Sequence, residues 1–555
     1  MSGSLILQTA FVVVAVNLRL ASGATVIQVR IASPAFALPS AGAGAMAFNE
    51  PVLEAASIEC NRIYAGLFNF SYVAVTGDRE AIHTNEEFTD QSPDLVAEWY
   101  YRLPVSPDIV PVIITPGNVD ISMIHQITAQ VNVLCIATMS YFKSQYNLQP
   151  AAPMIGTAFV PLPPVAEVFA NLLVLYNWTT VYVITDLSAA NVYQFMLSEI
   201  RKVQTRLAIR FIARTIDTRI TPSFNILLRE FTLLSRVLMF FGRAEQTRRL
   251  MIDAFNLNLT RGRHVFICDE PYPWPKNFGV VGWYLENSTD NEIARMAFRT
   301  LIFVHPNETV DLSSPRALHL AALFRRRTKD LYNITVTAFD QPTRELFSSY
   351  ASVFMLAEVM NETLSAYGRE KVRDGRWLAQ QFWNRTFPAA GGLYDIYVDP
   401  TGLRRVTLQV SHFSGNDSHQ EAFLVQSNLN ITDLRTLRNI SSSWPGGRWP
   451  PPNEPRCGYL NNLCHGAPGF AQNGGLTGVL TLSAVALVVG AAGFWARWHL
   501  HDHHLREPWW VLSVDLLLAP AKDVPTRVLS KMLLHNVLES QSAHHSSHTV
   551  SNLRP

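Results

Sequence analysis

The stretch VAEVFANLLVLYNWTTVYVIT, Val165–Thr185, decides the fold. Apolar residues recur at helical spacing over Val165–Tyr176, which predicts an amphipathic helix. Thr179–Thr185 (TTVYVIT) is a β-branched and aromatic run of strand length. The alternation continues downstream. Asn191–Val203, Ser223–Leu234 and Ala244–Leu257 are expected as helices, and Leu207–Ala213, Arg236–Phe241 and His264–Cys268 as strands.

Upstream, across the Pro-rich crossing Phe159–Pro164, lies an earlier tandem. Its expected strands are Thr25–Ile31, Phe70–Val75, Val110–Ile114 and Val133–Ala137, and its helices Val52–Tyr64 and Ile121–Val131. Strands separated by helices imply parallel sheets covered on both faces. Two tandems imply two lobes, so the expected fold class is α/β. Farther on come a helix at Leu346–Ala366 and a hairpin at Gly392–Val410, turning on Asp399–Gly402. Ser441–Pro455 is Pro/Gly-rich and reads as a stalk.

Ligands of open α/β sheets sit beyond the carboxyl ends of the strands. The residues nominated for such a cleft are therefore Ser33, Thr76, Pro116, Ser140, Asp186, Arg243 and Asp269. The competing reading of each is an ordinary loop residue.

Eleven Asn-x-Ser/Thr sequons precede one long apolar run, and none follows it. They begin at Asn69, Asn177, Asn258, Asn287, Asn307, Asn333, Asn361, Asn384, Asn416, Asn430 and Asn439. Chance would supply roughly four. Glycans are added only in the secretory lumen, so this side of the run is expected outside. The run, Leu476–Ala496, carries no charge. At helical rise it reaches about 30 Å, enough to cross the hydrocarbon. Arg497 follows at once, as the positive-inside rule expects for an outer N-terminus. Leu5–Val16 has the length of a signal-peptide core, with small residues Ala21 and Gly23 beyond it.

With 555 residues the chain is too long for one compact core. A net charge of +1 gives no bulk attraction to nucleic acid. Five cysteines are too few for a disulfide scaffold, and the odd number leaves at least one thiol over. Cys457 and Cys464, seven apart in an oxidising compartment, are expected to pair. Cys60 and Cys135 either pair or are two buried core thiols, and Cys268 is a plain core residue.

Gly42–Ala47 fits a G-x-G-x-x-A pattern, but Pro34 and Pro39 separate it from the preceding strand, so it reads as a flexible turn. His499, His501, His503 and His504 read as a solvated face at the inner membrane edge and not as a metal site. Small-residue spacings at Gly474/Gly478 and Ala486/Gly490 favour helix pairing. There is no nucleophile elbow, no His-Glu-x-x-His and no phosphate-binding loop, so no catalytic residue, cofactor or metal is expected.

Several segments resemble receptor guanylate cyclases and the natriuretic-peptide-receptor-like family. Tyr176–Val181 is similar to the entry to that family's second lobe. Ser235–Val237 through Phe266–Cys268, and Tyr350–Val353 through Asn361–Leu364, match further segments in order. So do Asp374-Gly375, Phe382–Phe387, the Asp399–Gly402 turn and the juxtamembrane Trp449–Gly458.

The resemblance implies a two-lobed ectodomain like type I periplasmic binding proteins, working as a homodimer or a heterodimer with related receptors. The implied ligand is an extracellular peptide or small molecule. Trp509–Val511 and Asp515-Leu516 resemble the opening of the family's kinase-like region, but no kinase or cyclase motif follows in this chain.

The expected organisation begins with a signal peptide (1–23) and a ligand-binding region (24–440). Its first lobe spans about 24–160 with a later return segment. Its second spans about 165–330 with the 377–440 hairpin region. A stalk (441–475), a membrane helix (476–496) and a cytoplasmic tail (497–555) follow. The expected function is a single-pass plasma-membrane receptor, itself not an enzyme. An incomplete copy of a full receptor guanylate cyclase and a non-signalling clearance or decoy receptor are the alternatives.

Overall fold

The structure is a computed structural model. It describes residues 25–459 apart from 38, 79–81, 118, 120, 139–152, 160–161, 271–273, 308–310, 415–418, 428–431 and 437–439, together with Cys464, Ala492 and Trp495. Ser140, Asn416, Asn430, Asn439, the signal peptide, the apolar run Leu476–Ala496 and the tail lie outside the described residues. Among the described residues no helix is long and apolar enough to cross a membrane.

Two sheets organise residues 25–464. The first holds five parallel strands in the order β2-β1-β3-β4-β5: β1 Ile27–Pro34, β2 Phe68–Val75, β3 Ile109–Thr115, β4 Leu134–Ala137 and β5 Met154–Gly156. The second holds eight, in the order β15-β14-β13-β10-β9-β8-β6-β7. Its parallel part is β6 Thr180–Asp186, β7 Arg210–Ile216, β8 Val237–Phe241, β9 Val265–Asp269 and β10 Leu301–Pro306. β13 Thr407–Phe413, β14 His419–Ser427 and β15 Thr432–Thr436 extend it antiparallel. β11 Arg385–Ala390 and β12 Tyr394–Val398 form a separate hairpin.

The central strands are apolar runs because both faces are covered. In β9, Val265 and Ile267 enter one apolar cluster, while Phe266 and Cys268 enter another on the opposite face. The first cluster is shared by both sheets. It runs from Val29 and Ile31 of β1 through the helix Leu162–Leu175 to Val183 and Ile267.

The helices show where sequence patterns were weak. The first, α1, spans Met46–Ile63 and begins six residues earlier than expected, with Pro51 inside it. Asn85–Tyr101 (α2) was not anticipated, because its surface is polar and it contains Pro93. Its start is nonetheless written in the sequence. Thr84 Oγ1 accepts from Glu87 N, and the Glu87 carboxylate accepts from Thr84 N, a capping box. The long Thr343–Tyr367 helix, called α11 as the eleventh among the described residues, packs on α1.

The expected hairpin is corrected by the topology. Asp399 does make the turn, its carboxylate accepting from Thr401 N, Thr401 Oγ1 and Leu403 N. The strands it separates go to different sheets: β12 pairs with β11, and β13 joins β10. The β11–β12 hairpin packs against α11, and Leu403 bridges to Gly156 of β5, so this part sits with the first sheet and not the second.

Gly42–Ala47 is not a free turn. It leads straight into α1, and a Cβ on Gly44 would lie 2.8 Å from the Pro116 carbonyl oxygen. Glycine is needed there because two chain turns touch.

The segment expected as a free stalk is docked. Trp449 packs edge-on against Tyr176 and Trp178, Trp444 packs against Trp449, and Trp178 Nε1 donates to Pro451 O at 2.9 Å. Asn453 Oδ1 accepts from Thr179 N at 2.8 Å and Thr180 N at 3.3 Å. Gly262 makes the close approach possible: a Cβ there would come within 1.7 Å of the Pro445 carbonyl oxygen. The contacts fall at the amino ends of the second sheet's strands, opposite their carboxyl ends. Cys457 and Cys464 are bonded. Cys60 and Cys135 are separate buried thiols, which removes that pairing. Cys60 faces the cluster shared by both sheets and Cys135 the opposite face of the first sheet.

Candidate functional site: the carboxyl ends of the parallel strands

Register fixes which side chains share a level. Thr185 pairs with Phe241, Phe240 with Cys268, and Asp269 with Val304. Thr185, Phe241, Asp269 and Val304 therefore form one row at the strand exits. Phe241 and Val304 belong to the shared cluster, so the row lies on that face.

The two nominated aspartates at these exits differ completely. Asp186 ends β6 one residue beyond the row and points the other way, with Ile184 and Tyr182. Its carboxylate accepts from Ser188 N and Oγ at 2.9 and 2.7 Å, and from Thr218 N and Oγ1 at 3.2 and 2.7 Å. It ties the exits of β6 and β7 together and has no acceptor capacity to spare.

Asp269 is 3% exposed, and neither carboxylate oxygen has a hydrogen-bond partner among the described residues. Burial pushes its pKa up to about 8, with the charge of Glu270 acting in the same direction. Thr185 Oγ1, in the same row, is also buried and unpartnered.

The remaining nominated residues are scattered. Ser33 is buried near the end of β1, and Thr76 is half-buried just past β2. Pro116 serves the turn against Gly44. Arg243 precedes the helix Ala244–Asn256 and donates to the Glu245 carboxylate at 3.1 Å and to Lys276 O at 3.3 Å.

Sequence reasoning missed the contribution of α11. Glu345, Ser348, Ser349 and Ser352 recur at i, i+3, i+4 and i+7, one face of the helix. Ser349 Oγ bonds Thr138 Oγ1 at 2.8 Å, Ser352 Oγ bonds Thr157 Oγ1 at 2.7 Å, and Ser348 Oγ donates to Thr157 O at 3.0 Å. Arg404 Nη1 donates to Ser348 Oγ at 2.6 Å. This satisfied network fastens the helix to the exits of β4 and β5.

Glu345, one turn earlier on the same face, is buried, with both oxygens unpartnered among the described residues. Burial raises its pKa to about 7. The signal was the polar 345/348/349/352 stripe, since Leu346–Ala357 is otherwise mainly apolar.

Among the described residues no three His, Cys, Asp or Glu side chains are grouped to hold a metal ion. Eight expected glycan acceptors are described. Asn69, Asn177, Asn258, Asn287, Asn333 and Asn384 are exposed, and Asn307 and Asn361 are half-buried.

The chain is an α/β fold of mainly parallel strands, with buried side chains at the strand exits that lack hydrogen-bond partners among the described residues. Residues 77–416, more than half of the chain, match the receptor family ligand binding region, and the chain belongs to that family. Among curated relatives, the receptor-type guanylate cyclase gcy-28 of Caenorhabditis elegans is 26% identical over 303 residues, covering 52% of this chain and 22% of that protein. Guanylate cyclase 2G of Mus musculus is 24% identical over 306 residues, covering 52% of this chain and 26% of that protein. Guanylate cyclase 2G of Rattus norvegicus is 20% identical over 321 residues, covering 56% of this chain and 28% of that protein. The chain thus aligns with about a quarter of each relative's length. The matched part resembles the extracellular ligand-binding region of receptor guanylate cyclases, which is not catalytic.

Proposed function

We propose that this chain is a single-pass cell-surface receptor with two lobes, one on each sheet, and a ligand cleft at their strand exits. Leu476–Ala496 carries the signal across the membrane, with the sequon-bearing side outside. The observation that carries the reading is the family match over 77–416 on a sheet whose exits hold buried, unpartnered polar groups. A ligand shifts only those states that it binds differently, and groups left unsatisfied without ligand supply such a difference.

Docking of 440–459 on the second sheet supports transmission, since that segment moves with the sheet and leads toward the apolar run. Dimerisation, and a longer product carrying a guanylate cyclase domain, are further parts of the proposal suggested by the named relatives. The full chain expressed in cultured cells is expected to shift on a gel after endoglycosidase treatment and to make no cyclic GMP by itself. A chain without removable sugar, or one that produces cyclic GMP, contradicts the reading.

A further inference from the structure

We infer that the exit of β9 is a recognition site for a small organic amine, with Asp269 as the counter-ion and Tyr193, Trp274 and Phe278 as the surrounding rings. This rests on the ligand-binding reading above and names the chemistry of its occupant.

Asp269 lies in the row with Thr185, Phe241 and Val304, on the face of the second sheet covered by the shared cluster. Tyr193, Trp274 and Phe278 belong to that cluster and are all buried. Their rings form a chain: Tyr193 to Phe278 at 6.0 Å, Phe278 to Trp274 at 6.4 Å, and Trp274 to Phe48 at 6.0 Å. The Tyr193 hydroxyl lies within electrostatic reach of Asp269 and Glu270, which raise its pKa, and of Arg243, which lowers it.

Two cations flank these exits, and each has an acidic partner. Arg243 pairs with Glu245, and Lys276 Nζ pairs with Asp340 at 2.9 Å.

A buried carboxylate without a partner is disfavoured, and such a group persists where something else requires it. Once ionised, above about pH 8, Asp269 is a negative charge on the face that carries these buried rings. A metal ion needs several oxygen ligands, and the described residues group no such set. An ammonium group fits better, because it offers the charge that Asp269 lacks and is attracted to aromatic faces. The unpartnered Thr185 hydroxyl supplies a polar contact at the same level.

The test is thermal unfolding of the full chain in detergent at pH 8, with matched pairs of probes. Choline is compared with its neutral isostere 3,3-dimethylbutanol, and ethylammonium with ethanol, each at millimolar concentrations. At least one amine is expected to raise Tm saturably, while its neutral partner does not. Asp269→Asn is expected to weaken that amine by about tenfold or more. Without amine, the same variant is expected to be at least as stable as the parent, because an unpaired charge has been removed.

Three results would overturn the inference: no amine raises Tm, the variant responds like the parent, or the variant is less stable at pH 8. If the variant does not fold, the amine-against-alcohol comparison on the parent still decides. A glycosylated chain at the cell surface that ignores every amine leaves the receptor reading standing and removes this one.

Discussion

Asp186 and Asp269 occupy the same kind of position, the last residue of a parallel strand, yet only hydrogen-bond geometry separates their roles. Asp186 has four donors, so Asp186→Ala is expected to cost about 3 kcal/mol in denaturant unfolding. Asp269 and Glu345 behave oppositely. Their folded pKa values stand at about 8 and about 7, against ordinary values of 3.8 and 4.5. The folded chain therefore holds more protons than the unfolded chain in that window, and these groups make stability fall as pH rises through it. Denaturation of parent and Asp269→Asn between pH 5 and pH 8 is expected to show the shallower decline in the variant. An identical decline would mean that Asp269 titrates normally.

The sequons also carry a second meaning at this scale. Asn177, Asn258, Asn287, Asn333 and Asn384 all have positive φ, and Asn333 caps the helix Pro315–Tyr332. Asparagine tolerates the left-handed region, so backbone geometry alone gives these five a reason to be asparagine. Their number is thus weaker evidence for glycans than the bare count suggests, although all five are exposed. Asn333→Gly is expected to remove any sugar there while keeping stability, whereas Asn333→Ala loses the sugar and about 1 kcal/mol.

Among the elements, legibility followed burial. The strands at 180–186, 237–241 and 265–269 stood out because both faces are apolar. The helices Asn85–Tyr101 and Pro315–Tyr332 did not, because much of their surface is polar. Their caps, Thr84 with Glu87 and Ser314 before Pro315, were the readable marks. The turn at Asp399 was legible and its partners were not, since turn chemistry says nothing about which sheet each strand joins. Likewise, composition made Ser441–Pro455 a spacer, whereas four aromatic rings make it a docked element. Gly262→Ala is expected to push it off, because the new methyl meets the Pro445 carbonyl. Limited proteolysis should then cut within 441–456 far faster than in the parent. Unchanged protection would mean that this contact does not hold the segment.

For the whole molecule, the second sheet links two ends. Its strand exits hold the open polar row with Asp269, and its strand entries hold the segment that leads toward Cys457 and the apolar run. On the proposed function, a ligand at the exits that reorients this sheet would move the docked segment with it. The α/β fold class was readable from alternating helices and strands. Which exit groups lack partners was not, because partnering is a property of three-dimensional neighbours: two aspartates alike in sequence differ wholly in theirs. The most direct measurement is a two-tag experiment on intact cells, with one epitope inserted after Thr25 and another after Pro555. The account expects antibody to reach the first tag without permeabilisation and the second only after it. Both tags inaccessible, or the reverse pattern, would contradict a receptor whose ligand-binding region faces outward.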